Sequence, residues 1–180
     1  VADDVRRQIV DLLPRLRRFA YTLTGDMERA DDLVQETCVR ALSRLEQWEE
    51  GTRLDSWLYR IAQNIWFDRL RALKVRGEVV DIDSAPELAG DDGRTVTESR
   101  LTLGDVSSAI EKLPADQRVV LALVCVEGLS YREAAETLKV PIGTVMSRLA
   151  RARQFIFRAT HGDEPVAKTQ VEVARGRVVR

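Results

Sequence analysis

The segment from Leu129 to Arg153, LSYREAAETLKVPIGTVMSRLARAR, constrains this chain more than any other. Ser130 and Glu133 have the spacing of a capping box, in which each side chain satisfies a backbone N–H of the other's turn. The pattern predicts a helix over Tyr131–Leu138. Pro141 and Gly143 then mark a tight turn over Lys139–Gly143. Beyond it Val145, Leu149, Ala152 and Ile156 recur at helical spacing, which predicts a second helix over Thr144–Phe157. A helix, a tight turn and a second helix form the layout of a helix-turn-helix, whose second helix enters the DNA major groove. With the apolar stripe turned inward, Thr144, Met146, Ser147 and Arg148 face outward, as does Arg151. Arg148 and Arg151 suit bidentate contacts to guanine, Thr144 and Ser147 suit bases or phosphates, and Met146 suits a thymine methyl. Arg153 adds a cation for phosphates. A solvated basic face is the plainer alternative, but the capped first helix and the glycine turn favour DNA reading.

The rest of the chain fits an all-α fold. It has ten Gly and five Pro and no regular alternation of apolar and polar residues. Residues 77–102 interrupt the helical pattern with Gly77, Pro86, Gly90 and Gly93, and hold seven Asp or Glu against two Arg. We read this stretch as a flexible acidic linker between two small helical domains, 1–76 and 103–160, followed by a tail, 161–180. The whole chain has a formal net charge of −1. Such a weak overall field implies that the protein alone grips DNA poorly.

In the first domain, a helix is predicted near Val5–Thr24, kinked or broken at Pro14. Asp26 should cap a second helix over Met27–Leu45 that buries Ala30, Leu33, Val34, Cys38, Ala41, Leu42 and Leu45. After a polar loop around Gly51, Asp55 or Ser56 should cap a helix from Trp57 to about Val75. In the second domain, helices are expected over Leu103–Lys112 and Ala115–Cys125, with Gly128 as the stop.

Two stretches of the first domain invite a functional reading. Asp31, Asp32, Gln35 and Glu36 form an acidic stripe that would repel DNA. It is either a solvated face or a protein-binding surface. From Arg53 to Arg71, four aromatic residues fall within eleven positions among several arginines. Aromatics interleaved with cations suit stacking on unpaired bases, with Arg53, Trp57, Arg60, Gln63 and Asn64 as candidates. Core packing is the competing reading for Trp57 and for Tyr59.

Cys38 and Cys125, set among apolar residues, read as buried thiols of a reducing cytoplasm. The single His161 and the absence of a Cys/His cluster argue against a metal site. No glycine-rich phosphate loop or nucleophile–base pair marks an enzyme, so no catalytic residues and no cofactor are expected. No apolar run is long enough to insert in a membrane.

Together these motifs carry a resemblance. Arg29-ADDLVQETCVRA-Leu42, Trp57-LYRIAQ-Asn64, LPADQRVVLAL, GLSYREAAE and Gly143-TVMSRLARA-Arg153 follow one another in the order seen in the bacterial sigma-70 family. The chain resembles its small extracytoplasmic-function (ECF) members, which have only regions 2 and 4. The resemblance implies that Asp31, Asp32, Gln35 and Glu36 dock on core RNA polymerase, on the β′ clamp helices, while the assembly also involves β. It implies that the loop Trp48–Leu54 captures a flipped −10 base, that the Arg60 and Asn64 helix reads and melts −10 promoter DNA, and that Thr144–Arg153 reads −35 DNA. Met146, where many relatives carry a basic residue, is shared with members resembling the general stress-response sigma factors of alphaproteobacteria. That subgroup implies a soluble anti-sigma factor as partner. A stand-alone helix-turn-helix regulator and a decoy that sequesters an anti-sigma factor are the rival readings.

Overall fold

The computed structural model describes residues 2–77 and 103–161. The acidic linker and the tail expected from the sequence lie outside the described residues, apart from Gly77 and His161. Seven α-helices account for most of the described chain: α1 (Ala2–Thr24), α2 (Met27–Leu42), α3 (Leu54–Val75), α4 (Leu103–Glu111), α5 (Ala115–Leu121), α6 (Tyr131–Leu138) and α7 (Ile142–His161). The all-α expectation holds across both halves.

Helix α1 is continuous through Pro14, where the sequence predicted a kink or a break. Pro14 is exposed, and proline removes the N–H that would meet the carbonyl of Val10. Val10 is itself 61% exposed, so water can take that place. Burial of Ile9, Leu16, Phe19 and Leu23 along one stripe holds the helix together across this defect. Gly25 (φ 70°) then turns the chain. A Cβ there would come within 2.8 Å of the end of the flexible Glu111 side chain, which can move aside, so it is the left-handed backbone angle that calls for glycine.

Asp26 caps α2 as expected, its carboxylate accepting from the Arg29 N–H at 2.8 Å. The helix ends at Leu42 rather than Leu45, and Leu45–Gln47 form a short 3₁₀ turn. Leu42, predicted to be buried, is 44% exposed. The cap of α3 also differs. Arg53 holds the N-cap position without a side-chain cap bond, and Asp55 lies in the first turn, accepting from the Ser56 N–H. Asp55 is drawn inward instead, toward Arg15 and Arg53.

The predicted helix Ala115–Cys125 is α5 followed by a π-helical turn, Ala122–Val126. The Glu127 N–H reaches back to the Ala122 carbonyl at 3.0 Å, and the Leu129 N–H to Leu123 at 3.0 Å across Gly128 (φ 74°). The wider turn delays the helix end and places Glu127 on the inner side, where its side chain is fully buried. Cys125, predicted to be buried, is exposed as a result of this local register, while Cys38 is half-buried. Burial pushes the Cys38 thiol pKa up.

Helix α6 begins with the Ser130–Glu133 capping box foreseen from the sequence. It ends with the Val140 N–H on the Ala135 carbonyl at 3.1 Å and the Lys139 N–H on Glu136 at 3.3 Å. This closure needs a left-handed residue, and Lys139 (φ 54°) fills a place usually given to glycine. Helix α7 starts one turn's edge earlier than expected because the Pro141 carbonyl already accepts from Thr144 at 2.9 Å.

The two halves do not stand apart. Helix α1 packs on α4, α5 and the π turn, and α3 packs on α6. The buried apolar residues of both halves form one continuous cluster. Arg118 of α5 bolts the seam. Its guanidinium donates to the Leu23 carbonyl at 2.8 Å and to the Leu113 carbonyl at 3.0 Å, contacts the Glu111 carbonyl, and lies 5.5 Å from the Trp66 ring centre. It thereby satisfies carbonyls at the C-terminal ends of α1 and α4, which helix geometry leaves without partners. Burial pulls its pKa below the ordinary arginine value.

Candidate nucleic-acid and partner surfaces

Helix α2 presents its candidate partner face to solvent. Asp31, Asp32 and Gln35 are exposed and Glu36 is half-buried. The four side chains are not equivalent. Asp31 takes a two-point contact from Arg17 at 2.6 and 2.9 Å, and Glu36 is held by Arg40 at 2.9 Å and by Arg69 at 2.7 Å. Asp32 and Gln35 have no side-chain partner among the described residues. Helical spacing continues their face through Val39 and Leu42, which are 67% and 44% exposed. This apolar extension was missed because the sequence pattern placed Leu42 in the core. Four residues along one face thus pair free polar groups with uncovered aliphatic surface.

The aromatic stretch divides into core and surface. Tyr59 and Trp66 are buried at 1% and 5% exposure. Tyr59 packs on Phe19 and donates its hydroxyl to Glu127 at 2.7 Å. Burial, then this hydrogen bond, pushes its pKa far above the ordinary tyrosine value. Trp57, Arg60, Ile61 and Asn64 share the outer face of α3. With Trp48, Thr52 and Lys139 they border a cleft of about 510 Å³. Arg44, Gln47 and Glu49 complete the lining, so two indoles, three cations and two amides, against one carboxylate, can stack a base and hold its backbone. Trp48, whose Nε1 is buried without a hydrogen-bond partner, was not singled out individually from the sequence. Its distance from Trp57 in the chain hid the pairing, although both lie in the stretch that the resemblance marked.

Gln63 is separated from this group. It lines a smaller slot of about 240 Å³ with Phe67, Asp116, Val119 and Arg148 at the seam between the halves. By helix phase Gln63, three residues on from Arg60, lies at the seam-facing edge of that surface and borders the slot instead.

Arg53 sits at the edge of α3 and is fully engaged. It contacts Asp55 at 2.7 and 3.0 Å and Glu133 of α6. Burial alone would raise the Asp55 pKa. The hydrogen bond from Arg53, the Ser56 amide and the charges of Arg53 and Arg15 outweigh it, so the carboxyl is held below its usual value. Arg15 continues the chain of charges, donating to Asp55 at 3.1 Å and to Glu127 at 3.2 Å.

On α7 the expected division holds for the apolar stripe. Val145, Leu149 and Ala152 are buried. Met146, Ser147 and Arg151 are exposed, with Met146 at 51%, while Thr144 and Arg148 are half-buried. Arg148 is tied to Asp116 of α5 at 2.8 Å. Arg153 is exposed but reaches back to Cys125 Sγ at 3.7 Å, one turn away from the leading residues. The helix start therefore offers Met146 and Ser147 most directly, with Arg151 behind them.

Comparison with known proteins gives this arrangement a family. Sigma-70 region 2 matches residues 9–76, and Sigma-70 region 4 matches residues 103–156. The chain is 40% identical over 155 residues to the ECF RNA polymerase sigma factor EcfG of Rhodopseudomonas palustris, across 85% of this chain and 83% of that protein. It is 36% identical over 167 residues to the ECF RNA polymerase sigma factor SigE of Mycolicibacterium smegmatis, across 90% of this chain and 63% of that longer protein. The fold superposes on the sigma factor RpoE of Bartonella quintana, solved in complex with the anti-sigma factor NepR. The TM-score is 0.68 at 30% identity, over 89% of this chain and 99% of that one. Neither half could supply that coverage alone. The chain belongs to the sigma-70 family of RNA polymerase sigma factors, in its extracytoplasmic-function branch.

Proposed function

We propose that this sigma factor binds core RNA polymerase through the outer face of α2 and directs initiation at promoters read in two places. The observation that carries this reading is the cleft framed by Trp48, Trp57, Arg60 and Asn64. It has the stacking surfaces and charges that an extruded −10 base requires, and extrusion costs a few kcal/mol that such contacts must offset. On α2, Asp32, Gln35, Val39 and Leu42 make the docking face for the β′ subunit, with Asp31 and Glu36 held as its ion-paired rim. On α7, Met146, Ser147 and Arg151 lead the reading of −35 DNA. Thr144 and Arg148 join them, Arg148 by exchanging Asp116 for a base or phosphate. The chain is an initiation factor without chemistry of its own, working in the cytoplasm. An anti-sigma factor restrains it, as the complex of the similar Bartonella protein supports, within a stress response.

Run-off transcription with purified core polymerase on a promoter library tests the reading. Asp32→Lys should abolish polymerase binding while leaving the fold intact, since Asp32 makes no side-chain contact to lose. Trp57→Ala should leave polymerase binding unchanged and lower open-complex formation by ~1–3 kcal/mol, the worth of one stacked base. Wild-type transcription from both variants would overturn the assignment.

A further inference from the structure

Helix α7 carries Arg148 and Arg151 near its leading end, and the fold treats them differently. Arg151 is exposed and has no side-chain partner among the described residues. Arg148 is half-buried, and its Nε stands 2.8 Å from Oδ2 of Asp116. The other oxygen of that carboxylate, Oδ1, accepts from the Gln117 N–H at 2.8 Å, which fixes Asp116 at the start of α5. Beneath the pair, Val119 of α5 and Val145 of α7 are buried at 1% and 0% exposure, so the two helices hold a set separation. The acceptor is therefore fixed in place, while the long Arg148 side chain can swing from it. Both residues lie within the segment matched to region 4, so the pair is complete in that half alone.

We propose that Asp116 is a specificity-determining residue that gives Arg148 a second resting place, so that the −35 base facing Arg148 is read permissively and the base facing Arg151 strictly. The inference rests on the −35 role proposed above for α7. Over guanine, O6 and N7 offer two aligned acceptors, which together outweigh a single partly exposed ion pair, so Arg148 leaves Asp116. Over a base without that pair of acceptors, a guanidinium with no alternative would give up water and gain nothing. Arg148 instead stays on Asp116, and the mismatch costs only the difference between the two partners. Arg151 has no such refuge and bears the whole cost of a wrong base. A carboxylate beside a reading arginine thus widens the range of promoters that the helix accepts at one position.

The test uses the full chain with core polymerase on promoters randomised across the −35 element, with sequencing of the run-off transcripts. Arg148→Ala and Arg151→Ala each locate a position, as the one whose base preference flattens. Asp116→Asn removes the charge and keeps an oxygen for the Gln117 amide. It should sharpen the guanine preference at the Arg148 position roughly two- to fivefold, the range that a partly exposed ion pair covers. The preference at the Arg151 position should not move. Asp116→Ala should sharpen the same position, and in an Arg148→Ala background neither change should alter any preference. A rise in output shared by all sequences, as loss of one negative charge near DNA would give, with no sharpening at the Arg148 position, overturns the proposal. So does a uniform loss of output, as a purely structural Asp116 would give, or equal sharpening at both positions. The parent reading is separated by the arginine variants. If Arg148→Ala flattens a position that Asp116→Asn leaves unchanged, the helix reads DNA and only the refuge falls. If Arg148→Ala flattens nothing, the reading role of Arg148 falls and the refuge with it.

Discussion

Asp55 shows how much one side chain can be asked to do. It is a carboxylate nearly out of water, with an exposure of 10% for its side chain, and it is kept ionised by Arg53, Arg15 and the Ser56 amide. Its pKa is lowered in the fold, so its contribution is present in full above the ordinary aspartate range and disappears as pH falls through the depressed folded value. Urea melts of the wild type and of Asp55→Asn across the acid range should therefore converge at low pH and separate by about 1 kcal/mol near neutrality. The figure is kept small because both arginines remain partly in water. Equal pH profiles for the two proteins would show that the ion pairs contribute nothing to folding. The same residue marks a limit of reading from sequence. Aspartate just before a helical run is an ordinary cap, whereas here Arg53 and, from α1, Arg15 together draw it into the interior.

Among the elements, those with local causes were legible and those with distant causes were not. Asp26 starts α2 and the Ser130–Glu133 pair starts α6 as their spacing required, because a cap is made within one turn. The stripe of Val145, Leu149 and Ala152 fixed the phase of α7 for the same reason. The π turn after α5 could not be read, since it answers to the burial of Glu127 beneath α1 and α3. Leu42 looked like core because periodicity shows which residues are apolar but not whether this chain covers them. Gln63, three residues on from Arg60, borders the slot at the seam rather than the cleft because it lies at the far edge of that face, where the second half comes up against it. The link between α6 and α7 carries its own prediction. Lys139 adopts a left-handed conformation at about 1 kcal/mol of cost that glycine does not bear. Lys139→Gly should raise the thermal midpoint, with a gain of about 0.5–1 kcal/mol by calorimetry. A fall in stability would show that the lysine side chain contributes more through its contacts than its backbone loses.

For the whole molecule, one continuous core and a buried carboxylate at the seam imply that the described halves unfold as a unit. Glu127 takes hydrogen bonds from Tyr59 and Arg15, and Arg18 stands 3.5 Å from its other oxygen. Glu127→Lys would set a cation against both arginines. We expect it to split urea unfolding into two transitions and to cost about 2 kcal/mol. That is less than for a fully sealed ion pair, because the arginines reach solvent. Backbone and aromatic circular dichroism should then no longer coincide. A single, unshifted transition would contradict the role given to this seam. No sequence pattern announced the contact, since Arg15 and Glu127 lie 112 positions apart and each half has an apolar stripe sufficient to look self-contained.

The stacking of Arg118 over Trp66 has a practical corollary. An indole shielded from water emits at shorter wavelength than one that is wet, and a guanidinium cation at its face alters that emission further. Trp48 and Trp57 are already half-uncovered, whereas Trp66 is enclosed where the halves meet. The native protein therefore carries its own optical gauge of the seam: with Trp48 and Trp57 replaced by phenylalanine, parting of the halves in urea should appear as a red shift of the remaining Trp66 emission.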